Sequence, residues 1–539
     1  MNKYGYFKYS DFAVGAKKYL TYSTNATLQT GSALTDLSVG VLPYDFASFE
    51  QDEYVTTKPK KLYDLITSLG FLTADISDEN GDFVTPITIT ADFSAYFSMT
   101  GITISSRNII KGLNITAYRD NVEIVNKDFS AANKEEFYTI DIVLTNKIVF
   151  TVTKIDKPYH FLGLFGIDFG KIRIFDETQQ ISAQITQNFS VLGDTLEYDT
   201  LDLSIIEQDE GDYLFQKKQP IDYFVGEQKK ATFYVDNGVK NDDNTVKVTA
   251  YDEIANLEDN FLGGMYENYP FNDLLNDIFA NTDIDFETTV ETENINLNGY
   301  LPITSRRKAL QTILEASNIR CYKGEKLVFK PLESVLEGVI LDETNIIDRP
   351  QKTKKQEIKS VTVNQKVYSR GIEEAEAYHW YVSTTQDILL TFSSPLHSLK
   401  AFEVTGVDGN GNDIVSETES TNVQFVETGA NYCVVRNSSA NKIVIKGQKY
   451  IESTVEYKRI NPLTALNESY ENINIELTIS ANPQEVCDLL YNLYSRKNSI
   501  RFITLEPLKI GGYYSILGEN LNIKSITHSL NGLYEVEAV

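Results

Sequence analysis

The sequence predicts a mainly β protein with small α/β elements: an N-terminal β-sandwich, then two β-barrels separated by an α/β block. Three observations predict it. Tyr (33) and Phe (28) are abundant and, with Thr, Val and Ile, fill most of the periodic segments. That is strand usage, because branched and aromatic side chains suit a pleated, half-buried surface. Short segments of alternating apolar and polar residues are separated by turn residues about every 8–12 positions. One stretch, Leu301 to Leu332, reads instead as a helix followed by a hairpin.

The 539 residues exceed one domain, and about three to five are expected. A 42% apolar share is enough for packed cores and excludes a disordered chain. The start, MNKYGYFKYSDF, has charges where a signal peptide needs an apolar core. No run reaches the ~18 apolar residues of a membrane span, so none is expected. Cys321, Cys433 and Cys487 are far apart, with neither zinc spacing nor a disulfide framework; they read as reduced structural thiols in a protein made in the cytoplasm. Forty-nine basic against 76 acidic residues give a net charge of −27. Phosphate backbones bind basic surfaces, so specific nucleic-acid binding is not expected. Such a surface either keeps the protein soluble or lets DNA slide past without sticking.

Residues 1 to 60 read as irregular and polar, with strands at Ala26 to Thr30 and Leu34 to Leu42, and a short helix or turn at Lys61 to Ile66. Ile87, Ile89, Ala91 and Phe93 then alternate with Thr88, Thr90 and Asp92, a half-buried strand. Further short strands follow at 102–105, 113–118, 122–125, 138–144 and 148–152, the repetition of a sandwich. A second β-unit, from Lys171 to about Ala255, has no long helix and the size of a small barrel. Pro270 opens a helix through Leu274, Leu275, Ile278 and Phe279.

Within the 301–332 block, Thr304 and Ser305 can cap a helix. Ala309, Leu310, Ile313, Leu314 and Ala316 form its apolar face, leaving Arg306, Arg307, Lys308, Gln311 and Glu315 outside. Strands Ile319 to Tyr322 and Leu327 to Phe329 flank a turn at Lys323-Gly324-Glu325. Strand patterning resumes at Glu357 to Tyr368 and continues through a short-strand set from 377 to 452. Asn482 caps a helix at 483–496, and the chain closes in strands with an Asn531-Gly532 hairpin turn.

Chemistry is sparse. His160, His379, His397 and His528 are scattered, with no HExxH, GxSxG, P-loop or Cys/His cluster. With 76 carboxylates, no glycosidase pair stands out. Asp408-Gly409-Asn410-Gly411-Asn412-Asp413, with Glu419 in twelfth place, has oxygen ligands at calcium spacing. The sixth place needs Gly and holds Asp413, and the flanks are strands, so a hairpin turn is the reading. Ser77 to Asp82 is read the same way. Tyr63, Tyr96, Tyr118 and Trp380 could stack on a sugar, though strand aromatics are commonly cross-strand partners. No catalytic, cofactor-binding or metal residue is assigned, and no cofactor is expected.

VKVTAYDEIANLED, before the α/β block, and SRRKALQTILEASN, inside it, resemble the baseplate hub of phage tails, the family shared with the N-terminal part of tail-associated lysins. GFLTADISDENGDFVTPITITADFS resembles the sandwich that precedes the hub in tail proteins of phages and phage-tail-like particles of low-GC Gram-positive bacteria. The resemblance implies this division: 1–165 a jelly-roll or galactose-binding-like sandwich; 166–257 a first tube-like hub barrel; 258–335 an α/β connector; 336–376 with 453–539 a second barrel carrying a helix; and 377–452 an inserted β module. It implies a homotrimer that joins the hexameric tail tube to a threefold central spike, lines the DNA channel and sits in the virion. Its partners would be the tail tube or distal tail protein and the spike or tape-measure protein. Two alternatives stand beside it: a host-glycan receptor binder and a cell-wall-degrading lysin. Tail-associated lysins carry a lytic or spike domain where this chain stops at Val539, so no lytic activity is expected.

Overall fold

The computed structural model describes residues 5–10, 19–27, 71–170, 172–206, 215, 217–226, 228–241, 245–282, 284–324, 326–380, 384–439, 441–464, 470–529 and 532–539. The fold is mainly β, as the composition predicts. It divides into two compact units: residues 3–181 with 203–250, and residues 1–2 and 182–202 with 251–539.

The first of these units holds the stretch expected to be a sandwich. Its seven-stranded sheet runs Phe71–Ile76, Phe161–Asp168, Asp82–Ser106, Glu135–Ile155, Ile110–Arg119, Val122–Phe129, with Leu20–Thr24 also on Asp82–Ser106. The segments read as separate short strands merge into strands of 25 and 21 residues. These shift register repeatedly between Asp92 and Gly101, which bends the sheet so that one continuous ladder can enclose a core. Ile87, Ile89 and Ala91 fill that core together with Ile115, Ile142 and Phe150. The turn at Ser77 to Asp82 is a turn: the Asp78 carboxylate accepts from the backbone N–H groups of Asn80 and Asp82.

The same unit holds strands of a second sheet, in the order Ile172–Phe175, Gly5–Ser10, Pro220–Val225, Gln228–Lys240, Thr245–Tyr251. Gly5–Ser10 corrects the reading of residues 1–60 as irregular. Phe7 and Tyr9 are buried while Lys8 is half-exposed, the period of a strand. The aromatic rings of Phe7 and Tyr9 pack on Tyr223 and Phe175. The chain thus leaves this sheet after Ser10 and re-enters it at Ile172, with the sandwich between. A strand lies at Leu20–Thr24; of the one expected at 26–30, residues 26 and 27 are not in a strand and 28–30 lie outside the described residues, as do 34–42 and 61–66.

In the other unit, a curved sheet runs Gln351–Lys354, Asn498–Thr504, Tyr534–Ala538, Glu519–Ser529, Gln180–Asn188, the last through residues 184–188. Of the closing hairpin turn, Asn531 lies outside the described residues; Gly532 has φ 78°, a left-handed conformation that suits Gly.

The α/β block has two helices, α1 (Phe271–Phe279) and α2 (Arg306–Ser317). Ser305 caps α2 by accepting from the Lys308 N–H at 3.3 Å, and Asn318 ends it in the left-handed conformation at φ 58°. Leu274, Ile278, Leu310, Ile313 and Phe329 share one core. Behind α2, Ile319–Tyr322 pairs with Leu327–Pro331, which runs parallel to Phe286–Thr288.

Two strands, Ile358–Trp380 and Ile443–Ile460, form one long antiparallel ribbon. Positions 377 and 452 fall inside it; the pairing shifts register between Glu376 and Tyr378, and the strand continues through that irregularity. One end of the ribbon packs against α3 (Pro483–Tyr494) through Val361, Val363, Cys487 and Leu490. The other end joins Leu396–Val407 and Asp413–Glu419 and faces a small sheet of Thr384–Thr391, Tyr432–Asn437 and Val423–Thr428.

Phe329 is fully buried where both helices meet the hairpin. Phe329→Ala should lower unfolding stability by about 3–5 kcal/mol, measured by denaturant titration of the full chain.

Candidate functional site

The densest polar chemistry lies on the 319–324 hairpin. Ile319–Tyr322 is buried along its whole length and carries Arg320, and Lys323 follows it in the turn. Lys323 donates to Asp199 at 2.7 Å and lies 2.9 Å from an Asp252 oxygen. Its side chain is 9% exposed, and those of Asp199 and Asp252 are 7% and 12% exposed. The carboxylates are further satisfied by backbone. Asp199 accepts from the Asn188 N–H at 2.9 Å, while Asp252 accepts from the N–H groups of Asp199 (2.7 Å) and Ile254 (3.1 Å). Burial alone would pull the Lys323 ammonium down, but the two carboxylates outweigh it and hold the group above the lysine range. Burial pushes the Asp199 carboxyl up, with Asp252 adding to it and Lys323 opposing. Asp252 belongs to the VKVTAYDEIANLED segment, so that segment's acid is a structural anchor.

Arg320 is 2% exposed and, among the described residues, forms no ion pair. Its guanidinium donates to three carbonyl oxygens: Val191 (3.0 Å), Ile319 (2.9 Å) and Leu192 (2.7 Å). Burial lowers its pKa to about 10. It lies under Gly193, whose φ is 83° and where a Cβ would come 2.6 Å from the guanidinium carbon. The loop is therefore built around this arginine and this glycine.

The sequence did not single out Lys323, Arg320, Asp199 or Asp252. Arg306 and Arg307, expected on an outer face, are half-buried and partnered. Arg306 donates to the Ile278 carbonyl, and Arg307 pairs with Glu258 at 3.0 Å and lies over the Tyr198 ring. Lys308 is exposed. The histidines do not converge. His160 is buried with Nδ1 on the Pro158 carbonyl. His379 meets Glu376, His397 meets the Gly371 carbonyl, and His528 stacks on Tyr534.

The Asp408 segment forms the hairpin turn between Leu396–Val407 and Asp413–Glu419. The Asp408 carboxylate accepts from the backbone N–H groups of Asn410 and Asn412, and Asp413 is paired with Lys442. Among the described residues no three His, Cys, Asp or Glu side chains gather as a metal site. All three cysteines are buried and free. Of the proposed stacking aromatics, Tyr63 and the Trp380 side chain lie outside the described residues. Tyr96 is half-exposed and its hydroxyl donates to Asp120 at 2.6 Å, two residues from Tyr118. A different aromatic groove, unmarked in the sequence, lies along the long ribbon: Tyr300 and Tyr368 meet edge to face at 5.7 Å, with Tyr450 beside them.

No protein-family model matches the sequence, and no curated protein matches it. Solved structures that align with the chain include three tail proteins, each at low identity. The 43 kDa tail protein of prophage MuSo2 from Shewanella oneidensis aligns at TM-score 0.39 and 12% identity, over 68% of this chain and 95% of that one. A tail protein from Neisseria meningitidis aligns at 0.40 and 8% identity, over 68% and 93%. Prophage tail protein gp18 from Listeria monocytogenes aligns at 0.38 and 10%, over 68% and 90%. None of these alignments assigns a role to a residue of this chain.

Lys323→Met strands two buried carboxylates and should cost about 3–5 kcal/mol in unfolding free energy at pH 7. The sign with pH follows. In the native protein the raised Lys323 keeps its stabilising contribution below pH 10.5 and loses it as pH climbs through the folded value. In the variant the raised Asp199 carboxyl takes up a proton in the folded state before the unfolded chain does. Thermal melts should therefore show Lys323→Met recovering stability, relative to the native protein, as pH falls from 7 to 5.

Proposed function

We propose that this chain is a structural hub of a phage tail or phage-tail-like particle. In this reading it is a baseplate or tail-tip homotrimer that joins the hexameric tail tube to the threefold central spike and lines the DNA channel. The order of the elements carries the reading. A β-sheet unit precedes a compact α/β block, and a second curved sheet with one helix follows it. That is the order implied by the hub resemblance of VKVTAYDEIANLED and SRRKALQTILEASN. The proposed division keeps 166–257 and 336–376 with 453–539 as two similar barrels, which in a trimer would present six copies to a sixfold tube.

The α/β block supports a connector role. Its most buried ionic contacts, Lys323 with Asp199 and Asp252, tie it to the chain on its N-terminal side. Its inward-facing arginine donates to main-chain carbonyls, which is scaffold chemistry. The charge supports the channel role. Three copies at −27 carry −81, and an acidic wall repels a DNA backbone during passage. The partners would be the tail tube or distal tail protein on one side and the spike or tape-measure protein on the other. The role is structural and not enzymatic, and the place is the virion.

Mass photometry of the full chain, with and without its cognate tail-tube protein, should show a species of three times the 60.9 kDa chain mass. A monomer that persists at high concentration and in the presence of tube protein contradicts the reading.

A further inference from the structure

We propose that a cavity beside α3 binds a small amphipathic monocarboxylate: an apolar body closed by one carboxylate group. The cavity measures ≈ 470 Å³, within the roughly 300–1,000 Å³ of small-ligand sites. It is walled by the 189–197 loop, the end of α3 and the sheet beyond it. Its apolar side is Leu192, Ile358, Ile473, Leu493 and Tyr494. The lining also carries three cations, Lys355, Arg496 and Lys524.

Two of the three cations are occupied. Arg496 donates to Asn522 Oδ1 at 2.9 Å and to the Val539 carbonyl at 2.7 Å. Lys524 is paired with Glu537 at 3.1 Å. Lys355 differs. Its backbone N–H donates to the Lys497 carbonyl, but among the described residues its ammonium has no hydrogen bond or ion pair. Burial, and then the neighbouring Arg496 and Lys524, hold the Lys355 ammonium below the lysine range. Glu537, itself paired with Lys524, offsets this only in part, so an anion placed at the Lys355 ammonium is favoured.

The remaining lining selects which anion. Asp194 and Glu471 are exposed and Glu197 is half-buried, all on the cavity lining. They oppose a multiply charged group such as phosphate but tolerate a single carboxylate lodged at Lys355. The apolar wall then receives the body of the ligand. That wall is already in place, because Arg320 pins the carbonyls of Val191 and Leu192. A preformed wall lowers the ordering cost of binding. This site stands independently of the hub reading.

A free aliphatic acid and the terminal carboxylate of a polypeptide share this chemistry. Titration calorimetry of the full chain at pH 7 would use octanoate and acetyl-leucyl-leucine as probes, with octanol and inorganic phosphate as comparisons. At least one carboxylate probe should bind saturably, and the tighter of the two identifies the source. Octanol and phosphate should bind at least about tenfold more weakly. Lys355→Met should weaken the carboxylate probes by about ten- to a hundredfold, the loss expected for a charge-assisted hydrogen bond, while Lys355→Arg keeps most of the affinity. The Lys355→Met melting temperature should not fall, because the variant removes a half-buried cation whose ammonium forms no ion pair among the described residues; that separates lost binding from lost fold. No binding of either carboxylate, phosphate binding as tightly as they do, or unchanged affinity in Lys355→Met overturns the proposal.

Discussion

The Lys323 ammonium, held between Asp199 and Asp252, is the contact on which the second unit depends. It joins three segments far apart in sequence: the stretch after residue 188, the end of the Thr245–Tyr251 strand, and the α/β hairpin. A buried ion pair of this kind contributes little net stability compared with a well-packed apolar substitute, because desolvation offsets the attraction. Its effect lies in selection. The ammonium has three donors, and the two carboxylates with their backbone donors admit few other arrangements. Arg320, three residues earlier on the same hairpin, pins the 191–192 carbonyls. One short strand thereby positions both the 189–197 loop and the Asp252 turn.

That arrangement changes what the helix-hairpin block is. The sequence marks Arg306, Arg307 and Lys308 as its basic cluster, and two of these are occupied locally. The cations that matter are Arg320 and Lys323, which sequence patterning places in a strand and a turn. Neither position looks unusual on paper, because a lysine in a Gly-containing turn is ordinarily solvated. The signal that could have found them is weak: one basic residue inside an otherwise apolar strand and another directly after it.

The helices were legible because their apolar spacing and caps agree. Ser305, Asn318 and Asn482 sit where capping chemistry puts them. Strand existence was legible for the same local reason, but strand extent was not. The ribbon Ile358–Trp380 with Ile443–Ile460, and the bent strands of the sandwich, run through positions that read as breaks, since bulges let a strand continue past an interruption of its alternation. Gly5–Ser10 escaped notice because its partners, Ile172–Phe175 and Pro220–Val225, lie more than 160 residues away. The 189–539 cavity was beyond reach of any sequence pattern. Its three cations come from three separate places in the chain, and its apolar wall from a loop, two strands and the end of α3.

In the proposed function the chain occupies the tail axis as a connector between tube and spike. Cryo-EM reconstruction of tail particles containing this chain, without imposed symmetry, tests it most directly. The account predicts three copies in a ring around the channel, with the two barrel units facing the tube. Density for the chain at the periphery, off the axis or in a copy number other than three would contradict it.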